Sequence, residues 1–196
     1  KSYKVKRLRV FDFFRNIFWL KITLLAIIFG RKWLHSEIPE RVTGVDLVWK
    51  IAAEAEKKGW SIFLLGGRNK VGEKTAQILK IKFPELNITG IYEGNENDQR
   101  VFEELAKNPA DIVFVAFGSP KQEIFIHNNL NKFGAKVVIG VGGSYDFISG
   151  KIKRAPKVFR KLGLEWLWRF GKQPSRYKRM HNAFPKFVWR VFVDSR

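Results

Sequence analysis

The stretch 111–123, DIVFVAFGSPKQE, closes an apolar run with Gly-Ser-Pro and follows it with a cation and an amide. Residues of these types at this spacing could hold an anion. Gly118 permits a tight turn, Ser119 is a candidate N-cap and Pro120 suits the first position of a helix. Backbone N–H groups at a helix start carry the positive end of its dipole, so phosphate or carboxylate is the fitting ligand. Lys121 and Gln122 would add a charged and a neutral donor in the first turn. Two more glycine pairs follow apolar runs in the same way, Gly66-Gly67 and Gly142-Gly143. Each turn alone is ordinary punctuation. Three of them on one edge of a parallel sheet make the edge where ligands bind.

Elements must place these turns, and their order along the chain is regular. Apolar residues near helical spacing fill 45–58 and stop at Gly59, and a short strand follows at 61–65. A helix is expected over 71–83 with Pro84 as its stop, a strand over 87–92, and a helix over 98–107. The Val- and Phe-rich run 112–117 reads as a strand buried on both faces. A helix over 120–133 and a strand over 136–141 complete the series. Strands alternating with helices predict an α/β fold with right-handed crossovers and a parallel sheet. Neither G-x-x-x-x-G-K-[ST] nor G-x-G-x-x-G occurs, which removes the main support for kinase, ATPase and dehydrogenase readings.

With 196 residues, 45% hydrophobic and 28% charged, the chain is globular and long enough for one domain with a core. It has no cysteine, which excludes disulfides and thiolate metal sites. His35, His127 and His181 show no ligand spacing, so no metal site is expected. The net charge of +19 is unevenly spread. Residues 1–32 carry 9 Lys/Arg against 1 acid, residues 151–196 carry 14 against 2, and 33–150 holds 14 against 15. A neutral body with two basic attachments suits nucleic acid, anionic lipid or a phosphorylated substrate. In 151–196 the cations alternate with Phe159, Trp166, Trp168, Phe170, Tyr177 and Trp189. That mixture fits a bilayer interface, a single-stranded nucleic-acid surface, or a helical subdomain packed by its aromatics. The apolar stretch 17–29 is too short for a span of roughly 20 residues, and no small-residue cleavage site follows it. The chain opens on Lys1 and its only methionine is Met180, so a product trimmed upstream is expected.

Taken in order, IPERVTG (38–44), IFLLGG (62–67), DIVFVAFGSPKQE (111–123), VGGSYDFISGKIKRAP (141–156) and LGLEWLWRF (162–170) resemble the bacterial glycosyltransferase family that includes TagA, WecG and CpsF. The resemblance covers about residues 24–190. It implies a Rossmann-like parallel sheet with helices on both faces, spanning 33–150 as a UDP-sugar-binding domain. It also implies a basic helical C-terminal appendage, 151–196, docking peripherally on the cytoplasmic face of the cell membrane; residues 1–32 form a basic and apolar N-terminal segment. The implied reaction moves a sugar, N-acetylmannosamine in the TagA-like members, from a UDP-sugar to an undecaprenyl-diphosphate-linked acceptor. Teichoic acid, capsule or exopolysaccharide synthesis is the setting. The chemistry is an inverting, metal-independent single displacement without a cofactor, and nucleic acid is not an expected partner.

Residue by residue, the resemblance gives Arg41 and Gln122 roles in substrate binding and catalysis. Arg169, Arg176 and Arg179 match arginines that close over the site onto the diphosphate, and guanidinium meets phosphate with paired hydrogen bonds. Gly66, Gly67, Gly142 and Gly143 let the nucleotide approach the backbone, with Gly118, Ser119 and Lys121 on the same edge; Tyr145 and Asp146 would touch base or sugar. The plainer alternatives are a surface ion pair of Arg41 with Glu40 or Asp46, a helix-face polar role for Gln122, a purely structural role for the loop of Tyr145 and Asp146, and membrane adhesion alone for the three arginines. One departure is large. The family's proposed catalytic base is an Asp in an Asn-Ala-Asp-Gly type motif, and Thr23 stands at or near that position. Threonine cannot accept a proton as a carboxylate does. Two accounts fit: a natural fragment or frameshifted product whose first half has been replaced, or a divergent member that uses another base or has lost activity. On either, the chain alone is expected to be weakly active or inactive as a transferase, and the alternative role is binding of membrane and nucleotide sugar without turnover.

Overall fold

The structure is a computed structural model and describes residue 18, residues 42–161 and residues 165–172. The chain divides into two compact units, Glu40–Lys153 and a second to which the described residues from Arg154 onward belong.

The first unit opens with α1 (Gly44–Lys58), whose Val45, Val48, Ala52 and Ala55 fall on one buried stripe. Thr43 caps it by accepting from Asp46 N at 3.3 Å and donating its hydroxyl to the Asp46 carboxylate at 2.6 Å. Gly59 ends it at φ 68°, the left-handed conformation that only glycine adopts cheaply. Strand β1 (Ser61–Gly66) leads to α2 (Val71–Lys82), β2 (Asn87–Tyr92) and α3 (Arg100–Lys107). Next come β3 (Ile112–Ala116), α4 (Lys121–Asn129) with a 3-10 turn over Leu130–Lys132, β4 (Val137–Gly140) and α5 (Ser144–Ile148). The four strands form one parallel sheet in the order β2-β1-β3-β4. This is the α/β, Rossmann-like arrangement the sequence implies.

The central strands are apolar on both faces, and the two faces feed two cores. Ile62, Leu64, Ile112 and Phe114 pack with α1, α2 and α5. Phe63, Leu65, Val113 and Val115 pack with α3 and α4, where Phe102, Phe125 and Phe133 meet in stacked and edge-on pairs. Each such side chain, once fully buried, contributes about 1.5–3 kcal/mol, so the β1–β3 pair is the stable centre. At the amino edge, Asp111 accepts from Ser61 N and Oγ at 2.9 Å and pairs with Lys136 at 2.8 Å, tying the starts of β1, β3 and β4 together.

In the second unit α6 (Lys157–Lys161) and α7 (Glu165–Lys172) pack through the Phe159 and Trp168 rings, 5.8 Å apart. Arg154 reaches Glu165 at 3.4 Å, and Glu165 is only 8% exposed. Among the described residues no helix is long and apolar enough to cross a membrane.

Candidate functional site

The register levels the carboxyl ends of the strands: Leu65 lies beside Tyr92, Gly66 beside Ala116, and Val115 beside Gly140. The chain leaves β1 toward β2 and then crosses to β3 on the other side, so the order reverses between β1 and β3. An open α/β sheet forms its ligand crevice at such a switch point. Gly66 sits there at φ 95°, and a Cβ on it would fall 3.0 Å from the Ala116 carbonyl. Glycine is required by both conformation and space.

Gln122 organises the β3 and β4 side of this edge. It is 5% exposed, and its Oε1 accepts from Gly118 N at 3.2 Å and from Gly142 N at 2.9 Å. Its Nε2 donates to Glu123 at 3.0 Å. The side chain passes over the end of β4 so closely that a Cβ on Gly140 would meet Nε2 at 2.7 Å. One amide therefore straps together two glycine turns, both at positive φ (85° and 54°). This differs from the sequence expectation in three ways. The N–H groups of Gly118 and Gly142 are given to Gln122, not left pointing at an anion. Ser119 is not the cap: the helix begins at Lys121 with Pro120 at the capping position after a cis Ser119–Pro120 bond. The turn is closed instead by Gln122 N donating to the Gly118 carbonyl at 2.9 Å, paired with the Gly118-to-Gln122 side-chain bond.

On the other side, the β1–α2 turn carries a filled anion site. Gly67 (φ 86°), Asn69 (φ 62°) and Lys70 (φ 63°) curl the backbone so that the N–H groups of Lys70 and Gly72 converge. Into them comes Glu93 from the end of β2, accepting from Lys70 N at 3.0 Å and Gly72 N at 3.2 Å. The carboxylate supplies the cap of α2 and complements its dipole. A Cβ on Gly67 would strike Gly72 N at 2.7 Å and the Tyr145 ring at 2.9 Å. Lys121, expected to offer its ammonium to a ligand, pairs with Glu96, whose carboxyl is held below its ordinary value chiefly by that hydrogen bond. The loop 93–99 is itself braced. Tyr92 donates to Asp98 at 2.7 Å, and Arg100 bonds both Asp98 oxygens at 3.1 Å. The Arg100 guanidinium, then the Tyr92 hydroxyl, bring the Asp98 carboxyl down to about 2. Sequence reasoning passed over Glu93 and Glu96, seeing only a Gly/Asn-rich turn; acids directly after a parallel strand were the available signal.

The start of α1 reaches the same edge. A Cβ on Gly44 would meet Ser144 Oγ at 2.7 Å and the Val141 carbonyl at 3.3 Å, so the IPERVTG segment ends against the β4–α5 turn. Gly143 precedes α5 at an ordinary φ of −86°, so only Gly142 of that pair needs glycine's freedom. Asp146 lies in the first turn of α5, 3.9 Å from Lys151. Tyr145 corrects an expectation: it is 1% exposed and its hydroxyl donates to the Phe114 carbonyl at 3.1 Å. Burial pushes its phenol well above the ordinary value. It is a core residue beneath the turn, not a contact for base or sugar. The carboxyl edge therefore brings together Gly66, Gly67, Gly118, Ser119, Lys121, Gln122, Gly142 and Gly143. Arg41, Arg176 and Arg179 lie outside the described residues, as do Thr23 and the side chain of Arg169, whose backbone is on α7.

Residues 25–196 match the model of the glycosyl transferase WecG/TagA/CpsF family. The N-acetylglucosaminyldiphosphoundecaprenol N-acetyl-beta-D-mannosaminyltransferase of Bacillus spizizenii is 35% identical over 173 residues, covering 88% of this chain and 67% of the relative. The chain belongs to the WecG/TagA/CpsF family of glycosyl transferases.

Proposed function

We propose that the chain moves N-acetylmannosamine from a UDP-sugar to an undecaprenyl-diphosphate-linked acceptor in cell-envelope polysaccharide synthesis, working peripherally at the cytoplasmic face of the membrane. The reading is carried by the similarity to the Bacillus spizizenii transferase, which covers every residue of the carboxyl edge. In this reading the crevice between β1 and β3 receives the donor, with the backbone of Gly66 and Gly67 against the nucleotide. Departure of UDP places negative charge on the diphosphate, and fixed donors lower the barrier where that charge grows. Lys121 and Arg68 are described cations on the loops of this edge suited to it, and Arg41, Arg169, Arg176 and Arg179 are the further candidates. Gln122 acts by holding the turns at Gly118 and Gly142 in register, and Asp146 stands at the mouth beyond them. Inversion by a single displacement also needs a base for the acceptor hydroxyl.

That base favours a second reading, a family member impaired in turnover. By the family pattern, Thr23 stands at or near the place of the expected acid. The carboxylates described at this edge are already engaged: Asp46 with Thr43, Glu93 with α2, Glu96 with Lys121, Glu123 with Gln122 and Asp146 with Lys151. Incubating the 196-residue chain with UDP-N-acetylmannosamine and a lipid-diphosphate N-acetylglucosamine acceptor decides between them. Product formation at rates of order 1 s⁻¹ or more supports the transferase, whereas UDP binding without product supports the impaired form.

A further inference from the structure

Two acidic side chains on the loop 93–99 occupy the places best made for a phosphate. Glu93 takes the converging N–H groups at the start of α2 with both oxygens, while Glu96 takes the ammonium of Lys121 at the start of α4. Strand β1 lies between β2 and β3, so the Glu96–Lys121 pair joins the loops on either side of it and bridges the carboxyl end of β1. Arg68, on the turn after β1, also acts on Glu96 through its charge. Glu96 is thus a carboxylate paired with Lys121 and within the field of Arg68, on a loop beside the edge where a nucleoside diphosphate would sit.

The two acids are not equally held. Glu93 is bidentate to backbone and shapes a turn with two non-glycine residues at positive φ, so it stays. Glu96 is 19% exposed and holds the flexible end of a lysine that is 61% exposed. An ion pair of that exposure is weak and exchanges readily. A diphosphate carries more charge than one carboxylate and can meet Lys121 and Arg68 together.

Resting on the donor-site reading above, we propose that Glu96 is an internal counter-ion of Lys121 that the diphosphate of the donor displaces, so that Glu96 sets donor affinity by competition. Glu93 permanently closes the α2 N-terminus to phosphate, which directs the diphosphate toward Lys121 and Arg68.

The test is calorimetric titration of UDP and of uridine into the 196-residue chain and into Glu96→Gln, Lys121→Met and the double variant at low salt. UDP is expected to bind Glu96→Gln about three- to fivefold more tightly than the parent, and Lys121→Met more weakly. Uridine, without phosphate, should bind the parent and Glu96→Gln alike, and the gain from Glu96→Gln should shrink when Lys121 is already Met, because Arg68 is then the remaining cation that Glu96 screens. UDP binding by the parent with no gain in Glu96→Gln overturns the proposal and leaves the donor site standing. A gain undiminished in the absence of Lys121, or one that uridine shares, overturns it too. No UDP binding by any of the four chains sinks the donor-site reading and this proposal together.

Discussion

Gln122 has three hydrogen-bonding contacts and almost no exposure, and together these define its work. An amide oxygen that accepts from Gly118 and Gly142 fixes two turns that no other described side chain joins. Gln122→Ala would leave both N–H groups without that partner in a largely buried setting, at a cost of about 2 kcal/mol, seen as an earlier urea midpoint. Gln122→Glu separates structure from charge. Its carboxylate still accepts from both glycines but loses the bond to Glu123 and stands beside it as a like charge. We expect a smaller stability loss than in Gln122→Ala and a UDP affinity reduced at least as much, because an anion then faces the diphosphate. Equal stability of the parent and Gln122→Ala would remove the strap. The sequence pointed to this residue through its place in GSPKQE, but not to its role, because Gly142 is 20 residues away and only the register of β3 with β4 brings it near.

At the scale of elements, local chemistry was readable wherever it acts alone. Thr43, the stripe Val45–Val48–Ala52–Ala55 and Gly59 fix α1 without help from elsewhere, and its observed span of Gly44–Lys58 follows them closely. Elements finished by distant partners were not readable. The cap of α2 comes from Glu93, 21 residues beyond Gly72 in the chain. The start of α4 past Ser119 and Pro120 is set instead by a local device, the Gln122–Gly118 bonds, whose side-chain part the Gly-Ser-Pro pattern does not announce. Asp111 is the same kind of device at the opposite edge, gathering β1, β3 and β4. Its pairing with Lys136, then the bonds from Ser61, bring its carboxyl down to about 2 from an ordinary value of 3.8. A carboxyl depressed in the folded state stabilises above the unfolded value and loses that contribution as pH falls through the folded one. Asp111→Asn should therefore melt below the parent at pH 7, with the gap closing between about pH 4 and pH 2. Thermal scans across that range check it; a gap that does not narrow would mean the carboxylate charge is not what ties the strands. Asp98, also lowered to about 2, leaves part of the acid dependence in both proteins.

Over the whole molecule, charge separates a neutral body from two basic ends. Residues 33–150 are nearly neutral, with 14 basic against 15 acidic side chains, while 151–196 carry 14 against 2 and 1–32 carry 9 against 1. Each Lys or Arg near an anionic leaflet contributes on the order of 1 kcal/mol, so about eight of the 14 are enough for micromolar attachment. Aromatic rings among them, such as Trp168 packed on Phe159, add apolar area that outlasts screening. The chain should float with vesicles rich in phosphatidylglycerol at low salt and release in large part near 0.5 M salt, where the Debye length falls to about 4 Å. Vesicles of phosphatidylcholine alone should retain little. Truncation after Lys161 removes 8 of the 14 basic residues of that segment and should weaken flotation without abolishing it, since the N-terminal segment keeps its own 9. The same truncation should leave UDP affinity within about twofold if Lys121 and the glycine turns suffice for the donor. It should weaken it about tenfold or more if Arg169, Arg176 and Arg179 reach the diphosphate, since each charged hydrogen bond is worth about 1.5–3 kcal/mol. Titrating UDP into the truncated chain without vesicles therefore assigns the C-terminal arginines to the donor or to the membrane.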